Sequence, residues 1–156
     1  MRPRSFGAVL YQSLLGALVF LIIAELGWLT GHNLLVFPLG ASIFMAFAIP
    51  GSNCARRYAV VAGYAAGTIA GLLAYWLLAF TPVNWAVLAR LVGALAVFLT
   101  ITLMALIRAE HPPAAAMALT VVLIGLDRYY LLAALGGVVL LVLVAQIFKR
   151  RLVDLF

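Results

Sequence analysis

The sequence predicts an all-α, polytopic membrane bundle of four long transmembrane helices and two short half-helices in two inverted repeats. Composition is the first reason. Of 156 residues, 68% are hydrophobic and 9% charged, where a soluble domain holds roughly 45–50% apolar and about 25% charged residues. A mean hydropathy of +1.25 leaves too little polar surface to wet a globule, which argues against soluble enzymes, disordered regulators and nucleic-acid-binding domains. Length is the second reason: four apolar stretches reach the roughly 20 residues that cross about 30 Å of hydrocarbon as a helix. The third is order, because two shorter apolar stretches fall between them as long, short, long, then long, short, long.

Phe6 to Leu29 is the first long helix. Its apolar run exceeds the roughly 7–15 residues of a signal-peptide core and no clean Ala-x-Ala site follows, so it is expected to be retained. Leu34 to Pro50 is apolar but short, and Pro38-Leu39-Gly40-Ala41-Ser42 reads as a helix start, which places a short helix near Leu39 to Ile49. Proline suits that position because the first turn does not need its missing N–H. Tyr58 to Phe80 and Trp85 to Ile107 are the next long helices. The second short one, Pro113 to Gly125, opens with His111-Pro112-Pro113-Ala114-Ala115-Ala116, and Tyr129 to Phe148 is the last long span. Pro38 and Pro112 stand 74 positions apart. That is about half the chain, so residues 1–156 are read as one transmembrane domain whose halves, about 6–80 and 85–148, arose by duplication.

Charge tests the orientation. The chain has 10 Lys+Arg against 4 Asp+Glu, a net charge of +6. If all six segments cross, Arg2 and Arg4, Arg56 and Arg57, Arg108, and Lys149-Arg150-Arg151 all fall on one side. Gly31 to Asn33, Thr81 to Asn84 and the neutral pair Asp127-Arg128 fall on the other. This pattern obeys the positive-inside rule for a bacterial inner-membrane protein with both termini cytoplasmic. Re-entrant short segments would put Arg56 and Arg57 outside. Three crossings per half make the second half enter from the opposite face, the inverted repeat of many transporters. Trp28, Trp85, Tyr129 and Tyr130 are expected in the outer interfacial belt, while Trp76 lies within its span.

Gly63, Gly67 and Gly71 recur every four residues and give one helix a smooth face for tight backbone contact. Glu25 and Arg90 fall a few residues inside the outer boundary; they either pair or snorkel separately to the interface. The single Cys54 cannot form an intramolecular disulfide and is expected to pack as a small apolar side chain. His32 and His111 with one cysteine and four dispersed acids make no recognisable metal cage. No Walker loop, dinucleotide glycine pattern or Gly-x-Ser-x-Gly turn is present, so neither an enzyme nor a cofactor is expected.

The short helices suggest chemistry. An N-terminus carries unpaired amides and about half a positive charge, and can hold a small anion without a buried cation. Gly40 allows close backbone approach, Ser42 adds a hydroxyl donor, and Ala114 to Ala116 leave room for a ligand. Two such tips entering from opposite faces would meet near the midplane. The competing reading of Gly40-Ala41-Ser42 is close helix packing alone. That of His111-Pro112-Pro113 is a cap and turn at the membrane surface. His111, beside Glu110, is also a candidate to couple proton to anion movement.

Phe37-Pro38-Leu39-Gly40-Ala41-Ser42 through Pro50-Gly51-Ser52, followed by Glu110-His111-Pro112-Pro113-Ala114-Ala115-Ala116-Met117-Ala118-Leu119, resembles the HPP family of integral membrane proteins. The likeness spans roughly Leu34 to Val122. This sequence departs from the family's Ser-Pro and Gln-Pro-Arg pattern at Pro50-Gly51-Ser52-Asn53-Cys54-Ala55-Arg56-Arg57, and from its Gly-Gly-His at Ala62-Gly63-Tyr64. The resemblance implies a small helical membrane domain and, from members associated with nitrite transport, passage of an inorganic anion such as nitrite or nitrate. The expected binding residues are Gly40, Ala41, Ser42, His111, Pro112, Pro113, Ala114 and Ala115. The expected partners are a small inorganic anion, the lipid bilayer and, through glycine-rich faces, a second copy. The alternative is a non-transporting scaffold or sensor module.

Overall fold

In the computed structural model the described residues are 5–31, 33, 36–79, 85–125 and 127–156. Arg2, Arg4, His32 and the loop 81–84 of the sequence reading lie outside them, as does the side chain of Trp85. Six α-helices follow in order: α1 (Phe6–Leu29), α2 (Val36–Ala48), α3 (Arg57–Ala79), α4 (Trp85–Ile107), α5 (Pro113–Ile124) and α6 (Arg128–Phe148). α1, α3, α4 and α6 carry stretches long and apolar enough to cross a membrane. At 13 and 12 residues, α2 and α5 rise only about 20 and 18 Å.

The boundaries follow local chemistry. Ser5 caps α1 by accepting from the Ala8 amide at 3.2 Å. The Asp127 carboxylate accepts from the amides of Tyr129 and Tyr130 at 2.8 and 3.0 Å and starts α6. Gly125 ends α5 at φ 81°, a conformation that glycine adopts without Cβ strain, and it leaves room for the Tyr75 ring. One expected boundary is corrected. α2 starts at Val36 rather than Leu39, because Pro38 tolerates any place in the first turn and does not mark its first residue.

α5 is the hub. Its buried Met117 and Val121 join α1, α2, α3 and α6 in a core with Ile23, Leu39, Phe47, Tyr64 and Leu141. Its Ala118 and Val122 close a second cluster with Ala70 and Ala74 of α3 and Val92 and Ala96 of α4. The glycine stripe of α3 forms this contact. A Cβ on Gly67 would collide with the Ala114 carbonyl oxygen. One on Gly71 would lie 2.6 Å from the Ala118 carbonyl oxygen, and one on Gly63 would lie 2.6 Å from His111 Cβ. The main helix contacts are α1–α2, α4–α5, α3–α4, α3–α5, α1–α6, α2–α6, α2–α5 and α3–α6. Exchanging α1 with α4, α2 with α5 and α3 with α6 maps this set onto itself.

Successive helices run between opposite ends of the bundle. Tyr58 at the start of α3 donates to the Ile107 carbonyl at the end of α4, at 2.7 Å. Beyond α6, residues 152–156 return across the same end. There Leu155 N–H donates to the Ala48 carbonyl at 2.7 Å and Gly51 N–H to Asp154 Oδ1 at 2.7 Å. Gln12 of α1, fully buried, fastens that segment: its carboxamide exchanges two 2.9 Å bonds with the Val153 backbone and also donates to the Phe47 carbonyl. Arg56, Arg57 and Lys149 share one cavity at this end, and Arg56 and Arg108 share another.

Two interfacial expectations change. Trp28 and Tyr129 are exposed as an outer belt requires, but Tyr130 is wholly buried and its hydroxyl donates to Met117 Sδ at 3.3 Å. Adjacent residues of a helix stand about 100° apart, and here the second tyrosine falls on the side of α6 that meets α5. Glu25 is exposed and has no partner among the described residues, which removes the Glu25–Arg90 pair.

Close α3–α5 approach predicts that Gly67→Ala destabilises the bundle by about 2 kcal/mol or more. Gly7→Ala, where a Cβ meets nothing within 4 Å, should leave stability unchanged or raised by about 0.5 kcal/mol. Unfolding midpoints of the two variants in a denaturing-detergent titration check both.

Candidate functional site

The link between α4 and α5 dips into the bundle. Arg108 takes φ 54°, and its N–H donates to the Ala105 carbonyl while Ala109 N–H donates to the Met104 carbonyl, at 3.3 and 2.9 Å. This pair of bonds is a Schellman stop, which usually places glycine where Arg108 stands. It turns the chain inward, so Ala109 and His111 are both fully buried. His111 is therefore no surface cap. Its ring reaches Ser42, six residues and about 9 Å from the C-terminal end of α2, and Tyr64, about 10 Å into α3.

Three side chains meet there. Ser42 Oγ lies 2.8 Å from His111 Nε2, 2.8 Å from the Tyr64 hydroxyl and 3.2 Å from the Pro38 carbonyl oxygen. His111 Nδ1 lies 2.8 Å from the Cys54 carbonyl, and the rings of His111 and Tyr64 tilt against each other at 5.4 Å. A carbonyl only accepts, so Nδ1 carries the proton in the neutral ring and Nε2 is an acceptor. The neutral network then has one sense: Tyr64 donates to Ser42, Ser42 to His111, and His111 to Cys54. Burial disfavours the imidazolium and lowers the proton affinity of His111 below its ordinary value of 6.5, against a smaller opposing effect of the Cys54 carbonyl. Cys54 itself is half-buried in the turn Asn53–Ala55, and its backbone rather than its thiol serves the site.

The other expected residues separate from this point. Gly40 faces α1 against Phe20 and lines a different cavity, and Ala41 is exposed. With α2 beginning at Val36, Gly40, Ala41 and Ser42 occupy its second turn, where amides bond carbonyls four residues back. The free amide tip expected at Gly40-Ala41-Ser42 is thus corrected to an interior turn. At α5, Ala114 N–H donates to the His111 carbonyl at 3.0 Å and Ala115 N–H to the Pro112 carbonyl at 3.1 Å. Pro113 and Ala114 are buried, Ala115 is half-buried and Pro112 is exposed. Tyr64 and the Cys54 carbonyl escaped the sequence reading. A hydroxyl seven residues inside an apolar helix, next to Gly63, was the available signal for Tyr64.

A cavity of about 570 Å³ is lined by His111 and Pro112 together with Asn53, Arg56, Arg108 and Glu110. Two guanidinium groups against one carboxylate give it a net positive lining. Among the described residues no three His, Cys, Asp or Glu converge to hold a metal.

Ser42→Ala should destabilise the bundle by about 2 kcal/mol, because both His111 and Tyr64 lose a partner in an apolar interior. Arg108→Gly should stabilise it by about 0.5–1 kcal/mol by relieving the left-handed backbone. The lowered proton affinity of His111 means that the unfolded chain takes up a proton that the folded chain resists, so stability falls as pH drops below about 6.5. Melting curves between neutral and mildly acidic pH should show this fall, and His111→Gln should reduce it.

No curated protein and no solved structure matches the chain. The family model for the HPP transmembrane region matches residues 2–154, which includes all six helices, the His111-Pro112-Pro113 turn and the partners that hold it. The chain belongs to the HPP transmembrane family.

Proposed function

We propose that this membrane protein carries a small inorganic anion, of the nitrite or nitrate kind, across a bacterial inner membrane. The observation that supports this reading is the cavity where Arg56 and Arg108 stand over His111. Cationic walls of low dielectric concentrate anions at a mouth, and the network beneath is the polar route into an otherwise apolar bundle. The cationic end faces the cytoplasm by the positive-inside rule. On this reading the anion first meets the two guanidinium groups beside His111 and Pro112. The paired helix contacts suit two inverted halves that move against each other to alternate access. The site is read as a binding site and not as a catalytic one.

A second reading is favoured by one specific observation: Ser42, His111 and Tyr64 satisfy one another and are sealed from solvent. A closed network of this kind suits a non-transporting scaffold or sensor. Proteoliposome flux separates the two. The transport reading expects nitrite or nitrate influx under a pH gradient or an applied voltage, reduced about tenfold in the double variant Arg56→Gln/Arg108→Gln. Absence of nitrite, nitrate, formate and chloride flux under both driving forces would select the module.

A further inference from the structure

We propose that Ser42 and His111 form a proton-binding site with two complete hydrogen-bond arrangements. In the neutral arrangement the single Ser42 hydroxyl proton points at His111 Nε2. When Nε2 takes a proton it becomes a donor to Ser42 Oγ, and the Ser42 hydroxyl turns to the Pro38 carbonyl, already 3.2 Å away. Ser42 Oγ then accepts from both His111 and Tyr64, within the two acceptor positions of a hydroxyl. His111 Nδ1 still donates to the Cys54 carbonyl. One proton is gained, no bond is broken without replacement, and one hydroxyl rotates.

The surroundings decide when that proton is held. Tyr64 of α3 and the Cys54 turn stand against the ring, and the cavity that His111 lines also holds Arg56, Tyr58 at the start of α3, Arg108 at the end of α4 and Glu110 in the same link; α2 and α5 contribute no ionisable side chain. Arg56 and Arg108 repel a charged imidazole, and Glu110 is the lone carboxylate in the cavity to favour it. An anion held between the two arginines offsets their charge and tightens proton binding, and by reciprocity the proton tightens anion binding. This linkage, which rests on the anion reading above, makes proton and anion travel together; the proton site itself does not depend on it.

Nitrogen-15 NMR of the full chain in lipid nanodiscs tests the site, with His32→Gln leaving His111 as the sole imidazole. Expected are the Nδ1–H tautomer at alkaline pH and protonation on acidification. Proton affinity should fall about tenfold in Ser42→Ala and stay within about threefold in Tyr64→Phe. Sodium nitrite should raise it about fivefold relative to sodium gluconate, and not in Arg56→Gln/Arg108→Gln. An Nε2–H neutral tautomer, a ring that stays neutral down to about pH 4, or an unchanged affinity in folded Ser42→Ala would overturn the proton site. Protonation as expected but indifferent to nitrite supports the proton site and instead overturns the anion reading.

Discussion

A polar group inside a bilayer must find its partner within the protein, since hydrocarbon offers none. The centre of this structure follows from that constraint. α5 is too short to cross, so the link before it has to enter the bundle, and with it come a histidine ring and carbonyls that need bonds. Ser42 of α2 and Tyr64 of α3 meet the ring, and the Cys54 carbonyl takes its other nitrogen. α5 in turn is the element around which both apolar clusters close.

Packing and polarity are joined at the same residues. Gly63 gives up a side chain so that His111 can lie against α3, and Gly67 and Gly71 bring the α5 backbone to within contact of the α3 backbone. The opposite pair is made differently. α6 offers Gly137 to Leu39 of α2, a meeting with the end of a flexible side chain rather than with a carbonyl. Of the two corresponding contacts between the halves, α3–α5 is thus the closer and α2–α6 the looser. The network at Ser42, Tyr64 and His111 lies at the closer contact.

Electrostatics sets the direction. Arg56, Arg57, Arg108 and Lys149 gather at one end, around cavities that open between helix termini, while Asp127 at the other end is occupied with capping α6. The cavity at that end therefore carries a net positive lining beside the neutral His111.

Much of the architecture was legible in the residues alone. Phe6–Leu29 and Trp85–Ile107 were bounded from apolar run length, and the clustering of Arg56, Arg57, Arg108 and Lys149 at one end followed from counting crossings. The two motifs that carry the family likeness were picked out before they were seen to touch. What they do to each other was not legible. Gly40 and Ala41 point away from the network that Ser42 joins because successive residues of a helix stand about 100° apart, and the rotation of α2 against its neighbours decides which of the three faces His111. Tyr130 turns inward while Tyr129 stays out, for a similar reason of register.

The sequence by itself determined the solvent of this protein, the number and order of its helices and the side on which its charge gathers, because these depend on run length and composition along the chain. Only the tertiary structure decided that His111 is buried, which of its nitrogens carries the proton, and that Tyr64 and a cysteine carbonyl complete its shell. Those facts depend on the rotation and depth of helices 22 to 69 residues apart from Ser42, which close packing fixes and no local pattern encodes.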